Sequence, residues 1–146
     1  MELYSDVLLN SLRSVRSESV QTFDVKFLAE KDRVKRFIKE RWLEGKRPDG
    51  SLIGEYHSLF YADEKYKMNS QAGFLNVDLT VTGDLGNRID LSLVPDGIEV
   101  FSTDEKFNKI FDKYGGDNFN ITDEQTETLI DEISSATVEE LYLKYL

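Results

Sequence analysis

"LNVDLTVTGDLGNRIDLSLVPDGIEVFS", residues Leu75 to Ser102, is the stretch that decides the fold class. Leu75, Val77, Leu79 and Val81 alternate with Asn76, Asp78, Thr80 and Thr82. A two-residue period gives a strand one apolar and one polar face. Gly83-Asp84-Leu85-Gly86-Asn87 then reads as a turn. It is no phosphate loop, because its glycines have the wrong spacing and an aspartate sits among them. Ile89, Leu91 and Leu93 alternate with Asp90 and Ser92 as a second strand, Pro95-Asp96-Gly97 turns the chain, and Ile98 and Val100 form a third. Connections this short allow antiparallel neighbours only, so the expected sheet is a meander of about three strands.

Outward from this stretch the period is helical. On the N-terminal side Tyr4, Leu8, Leu12 and Val15, with Val7 beside them, predict a first helix, and polar Ser17 to Gln21 predicts a break. A second helix is expected from about Phe27 to Leu43, with Val34, Phe37, Ile38 and Trp42 on one stripe. Gly45 and Pro48 stop it. On the C-terminal side Ser102 with Glu105 fits a capping box ahead of Phe107, Ile110, Phe111 and Tyr114. Gly115-Gly116 ends that helix. Thr122 with Gln125 fits a second box ahead of Leu129, Ile130 and Ile133. Thr137 with Glu140 fits a third, after a weakening at Ser134-Ser135. The expected fold is α+β: a small antiparallel sheet packed with N- and C-terminal helices, in one domain over residues 1–146.

Residues 45–74 interrupt this order. Pro48-Asp49-Gly50 is a turn, and Leu59, Phe60 and Tyr61 suit a short helix or an extended arm equally. Irregular segments longer than about 12–15 residues are usually functional or disordered, and the aromatic residues argue against disorder. This segment is therefore expected to be an extended arm.

Composition narrows the function classes. The chain has 146 residues, 40% hydrophobic, with no cysteine and one histidine. Thiol nucleophiles, thiolate metal sites and disulfides are excluded. No stretch approaches the apolar length of a membrane span, and the first residues lack the basic and apolar regions of a secretory signal. His57, beside Glu55 and Tyr56, is the sole candidate histidine base, and no partner motif accompanies it. Asp117-Asn118-Phe119-Asn120 starts like a calcium loop, but Phe119 occupies a ligand position and the required glycine is missing. No catalytic, cofactor-binding or metal-binding set is expected.

Charge is divided unevenly. Residues 1–75 carry 13 Lys+Arg and 12 Asp+Glu, a net of +1, and residues 76–146 carry 5 and 16, a net of −11. Between Glu30 and Arg47 eight basic side chains meet four acidic ones. The acids dilute any phosphate-binding stripe, so sequence-specific nucleic-acid recognition is not expected. Two faces of opposite sign on identical copies can attract one another.

Taken as a unit, "GKRPDGSLIGEY", "DEKYKM", "VDLTVTGDL" and "GIEVFS" resemble small tailed-bacteriophage virion proteins of the neck and tail-completion, or head-to-tail connector, type. The matching residues are Gly45, Asp49, Gly50, Tyr56, Lys65, Lys67, Thr82, Gly83, Asp84 and Leu85, within a span of roughly 60 positions. Gly86-Asn87-Arg88 departs from the pattern, where a serine-bearing step usually leads into the next strand. The resemblance implies a non-enzymatic virion protein, assembled in the host cytoplasm as a homo-oligomeric ring. Its partners would be portal, adaptor or tail proteins, with DNA passing without sequence-specific contact. It also implies that the arm touches a neighbouring subunit through Arg47, Tyr56, Leu59, Phe60, Tyr61 and Tyr66. In such a ring Asp123, Glu124, Glu127, Asp131 and Glu132 are expected to face the channel, with the basic Lys31–Arg47 segment towards neighbours or partners. The alternative is a cytosolic acidic interaction module, or a regulator that binds a basic partner.

Overall fold

A computed structural model of the chain describes residues 2–80, 84–95 and 97–145. The elements in order are α1 (Glu2–Ala29), α2 (Lys31–Leu43), α3 (Leu59–Met68), α4 (Asp84–Arg88), β1 (Ile89–Val94), β2 (Gly97–Ser102), α5 (Lys106–Tyr114), a 3-10 turn (Gly116–Phe119) and α6 (Asp123–Tyr145). The fold is α+β with a two-stranded antiparallel sheet. The chain divides into two compact units, one of residues 1–30 with 126–146, the other of residues 31–125.

The first unit is helical. α1 is continuous through Ser17–Gln21, where the sequence suggests a break. No proline or glycine lies within it to stop a helix, and the Ser19 hydroxyl satisfies itself by donating to the Arg16 carbonyl at 2.7 Å. α6 likewise runs straight through Ser134-Ser135. Thr137, expected to open a third helix, lies mid-helix and donates to the Ile133 carbonyl at 2.7 Å. Leu129, Ile133 and Thr137 recur every fourth residue and form its buried stripe. Lys26 pairs with Glu140 at 2.7 Å, and Glu18 accepts hydrogen bonds from Lys144 and Tyr145.

The second unit is built on α2. Val34, Ile38 and Trp42 make its buried stripe, and Ile89 and Leu91 supply the buried side of β1. Lys31 and Lys35 reach Asp90 of β1 at 3.4 and 3.8 Å. The hairpin register runs from Ile89↔Ser102 to Val94↔Gly97, so two residues close the turn. Asp96, one of them, lies outside the described residues. Trp42 meets Phe119 edge-on at 5.5 Å, and Phe119 packs on Phe107 at 4.5 Å, which joins α5 and the 3-10 turn to α2.

The expected first strand is absent among the described residues of that stretch. Leu75 has φ 73°, which a pleated strand does not allow, and Asn76 makes only an isolated bridge with Glu55. The alternation fails because Asp78, assigned to the polar face, is buried together with Val77 and Leu79. Val81, Thr82 and Gly83 lie outside the described residues. The expected turn at Asp84–Asn87 is instead part of the five-residue α4. The expected Ser102/Glu105 box does not form. Ser102 Oγ accepts from the Asp104 amide at 3.0 Å, Asp104 Oδ1 accepts from the Lys106 amide at 2.9 Å, and α5 starts one residue beyond Glu105.

Candidate subunit-contact surface

The segment from Gly45 to Phe74 folds around its glycines and one ion pair. Gly45 ends α2 with φ 68°. The Pro48-Asp49-Gly50 turn closes through the Gly50 amide, which donates to the Arg47 carbonyl at 2.9 Å, and an isolated bridge joins Lys46 to Leu52. Asp49 accepts from both the amide and the hydroxyl of Ser51, which holds its carboxyl below the usual range. Ser58 caps α3 by accepting from the Tyr61 amide at 3.3 Å.

α3 turns Ala62 and Lys65, three positions apart, into the interior. Lys65 is 3% exposed and Asp78 is 5% exposed. Lys65 Nζ donates to Asp78 Oδ1 at 2.5 Å and also to the Thr80 carbonyl. The carboxylate accepts two further hydrogen bonds, Oδ1 from the Thr80 amide at 3.0 Å and Oδ2 from Asn69 Nδ2 at 3.1 Å. Tyr56 donates its hydroxyl to the Asp78 carbonyl at 3.1 Å. Burial, and then the Asp78 carboxylate, raise the Tyr56 phenol well above its ordinary pKa. A charge removed from water persists only when paired and hydrogen-bonded, and this pair is both.

The side of α3 opposite Ala62 and Lys65 carries Phe60 with Asp63, Glu64 and Lys67, and exposed apolar residues flank it, Leu59 and Tyr66 along one edge and Tyr61 and Met68 along the other. Leu59 is 67% exposed and Phe60 77%, with Tyr61, Tyr66 and Met68 exposed beside them. Tyr61 sits edge-on to Tyr56 at 5.0 Å, and Tyr66 edge-on to Phe74 at 6.0 Å. Aromatic pairs of this kind stiffen the surface. Of the six residues read as contacts, Leu59, Phe60, Tyr61 and Tyr66 lie together on α3 and Tyr56 joins them through Tyr61. Arg47 stands apart, bound to Asp117 at 3.0 Å and to the Ile53 carbonyl at 3.2 Å.

The basic segment is engaged within its own unit. Lys39 donates to Asn87 at 2.6 Å, and Arg33 lies over the Phe37 ring at 5.6 Å. Arg41 is buried and donates to the carbonyls of Asn120, Asn118 and Lys46. Burial lowers its pKa to about 10. The sequence places Arg41 among groups free for phosphate; its backbone partners 77 and 79 positions away carry no local signal. In the calcium-like run, Asp117 binds Arg47 and Asn118 Nδ2 donates to the Tyr114 carbonyl at 2.7 Å. His57 is exposed, in an open depression with Lys113 and Tyr114. Asp123, Glu124, Glu127, Asp131 and Glu132 are all exposed along α6. No helix among the described residues is long and apolar enough to cross a membrane. Compared with protein-family models, curated proteins and solved structures, the chain gives no significant match.

Proposed function

We propose that the chain is a non-enzymatic assembly protein that forms a homo-oligomeric ring in the head-to-tail connector or tail end of a tailed-phage particle. The observation that carries this reading is the set of large apolar side chains that α3 leaves exposed. A helix whose inner side is fixed by a buried, hydrogen-bonded ion pair presents Leu59, Phe60, Tyr61, Tyr66 and Met68 to solvent. Large apolar side chains exposed together mark interaction sites on soluble proteins. Asp63, Glu64 and Lys67 run between them and pair through Lys67. The sequence resemblance supplies the virion setting and the portal, adaptor or tail proteins as further partners.

The test is light scattering coupled to size exclusion across a concentration series, on the wild type and on Leu59→Asp/Phe60→Asp. The expected result is a closed oligomer for the wild type and a smaller species for the variant, with unchanged helical circular dichroism. A wild type that stays monomeric until a basic partner is added would overturn the ring and favour the acidic interaction module.

A further inference from the structure

Lys65 Nζ and Asp78 Oδ1 meet at 2.5 Å, and their side chains are only 4% and 1% exposed. A nitrogen held that close to one carboxylate oxygen stands about 3–3.5 Å from the carboxylate carbon, the separation of a near-attack pair. Ion pairs at a protein surface stay ions because water solvates both charges. This pair lies away from water, where two charges are costly to keep and a neutral product is favoured. Its other contacts fall on the atoms that an acyl transfer uses. Oδ2 accepts from Asn69 Nδ2 at 3.1 Å, Oδ1 accepts from the Thr80 amide at 3.0 Å, and Nζ donates to the Thr80 carbonyl. Asn69 is held in place in turn, its Nδ2 donating to the Leu43 carbonyl at 2.8 Å and its Oδ1 accepting from the Gln71 amide at 3.1 Å.

We propose that Lys65 and Asp78 condense into an intramolecular amide bond that ties α3 to the segment ahead of α4. One proton moves from Nζ to Oδ1, which leaves a neutral amine facing a carboxylic acid. The amine attacks Cγ, and the negative charge that develops on Oδ2 is met by the Asn69 Nδ2 donor. The Cγ–Oδ1 bond then breaks, and Oδ1 departs as water with the first proton and a second one from Nζ. One C–N bond forms, one C–O bond breaks and one water is released, with no outside reactant. The remaining N–H keeps the Thr80 carbonyl as its acceptor, and Oδ2, now an amide oxygen, keeps Asn69. Two buried charges disappear while their hydrogen bonds stay.

The bond would fix the inner side of α3 covalently beneath its exposed apolar side chains, and a cross-link also restricts the unfolded chain. The inference goes beyond the ring reading and does not rest on it, since both groups belong to one copy.

The test is mass spectrometry of the full-length protein, incubated folded at neutral pH and in parallel unfolded in urea. The folded protein is expected to lose the mass of one water. Its tryptic map should stay uncut after Lys65 and join the Lys65 peptide to the peptide that begins at Met68 and carries Asp78. The urea sample should keep its full mass. Dehydration at Asp49-Gly50 or Asp96-Gly97 also loses a water, but hydroxylamine cleaves that product and trypsin still cuts at Lys65. Lys65→Arg, which keeps the cation without the amine, is expected to show no joined peptide. Asn69→Ala, with circular dichroism unchanged, should form the bond at least about tenfold more slowly, because the donor to Oδ2 is gone. A pair that is only structural would leave all these masses unchanged. Full mass in the folded wild type overturns the inference, as does a joined peptide that forms equally in urea. Loss of ammonia in place of water overturns it too, by putting the bond on Asn69.

Discussion

Lys65 and Asp78 form a buried ion pair in the second unit. Removing one member of a buried pair strands the other charge, which costs about 3–5 kcal/mol. Lys65→Met keeps the length and apolar stem of the side chain but leaves the Asp78 carboxylate buried with only Asn69 and the Thr80 amide as partners. The expected loss is therefore about 3–5 kcal/mol in urea unfolding, and a loss below about 1 kcal/mol would show that the pair is dispensable. Tyr56 makes a pH prediction from the same cluster. Its folded pKa lies above the unfolded one, so its contribution is fully present below about pH 10, the ordinary tyrosine value, and is lost as pH rises through the folded value. Stability should fall more steeply with rising alkaline pH in the wild type than in Tyr56→Phe. Parallel pH profiles for the two proteins would count against it.

At the scale of elements, the ends are the testable features. A Cβ on Gly45 would meet the Val77 carbonyl oxygen at 2.9 Å and Ala72 Cβ at 3.0 Å, at φ 68°. Gly45→Ala should cost at least about 1–2 kcal/mol, since even an unobstructed left-handed residue costs that much. At the start of α6 the Thr122 amide donates to Gln125 Oε1 at 3.0 Å, and the Gln125 amide to Thr122 Oγ1 at 3.1 Å. Thr122→Ala should cost about 1 kcal/mol. Urea midpoints measure both, and a neutral Gly45→Ala would refute the strained end. These features were legible because they are local: a glycine after an apolar stripe and a threonine three residues ahead of a glutamine. The β1–β2 hairpin and the stripe of α2 were legible for the same reason, a period with turn residues at its edges. The strand expected from Leu75 was not, because Lys65 draws Asp78 inward and no pattern around Asp78 announces a cation 13 residues back. The candidate contact surface was half legible. Residue types marked Leu59, Phe60, Tyr61 and Tyr66 as notable, but whether an aromatic helix buries them or leaves them open depends on Ala62 and Lys65 being the side that packs. The length of α1 was hidden by Ser17–Gln21, which lacks an apolar stripe yet contains nothing that ends a helix.

At the scale of the whole molecule, the net charge of −10 bears on what the proposed ring of such chains would do to DNA. Neutralising phosphates releases counterions, so a basic channel wall would hold DNA that has to move. The basic segment of α2 is engaged with Asp90, Asn87 and backbone carbonyls, which leaves α6 as a long exposed acidic surface. Within α6 the acids divide by the faces they share. Glu127 and Asp131 continue the face of Ser134 and Val138, whereas Glu132 lies towards the opposite side of the helix. Asp123 and Glu124 precede the paired stretch at the N-terminus of the helix. If Asp123, Glu124 and Glu132 face the channel of the proposed ring, Asp123→Lys/Glu124→Lys/Glu132→Lys should still assemble. It should also acquire DNA binding whose affinity falls steeply with salt, read by fluorescence anisotropy of a labelled duplex. An assembled ring with a basic inner wall and Asp123, Glu124 and Glu132 on its outer rim would overturn the assignment. So would a triple-lysine ring that binds DNA no better than the wild type at low salt, because three added cations per copy along a channel cannot be silent towards a duplex inside it.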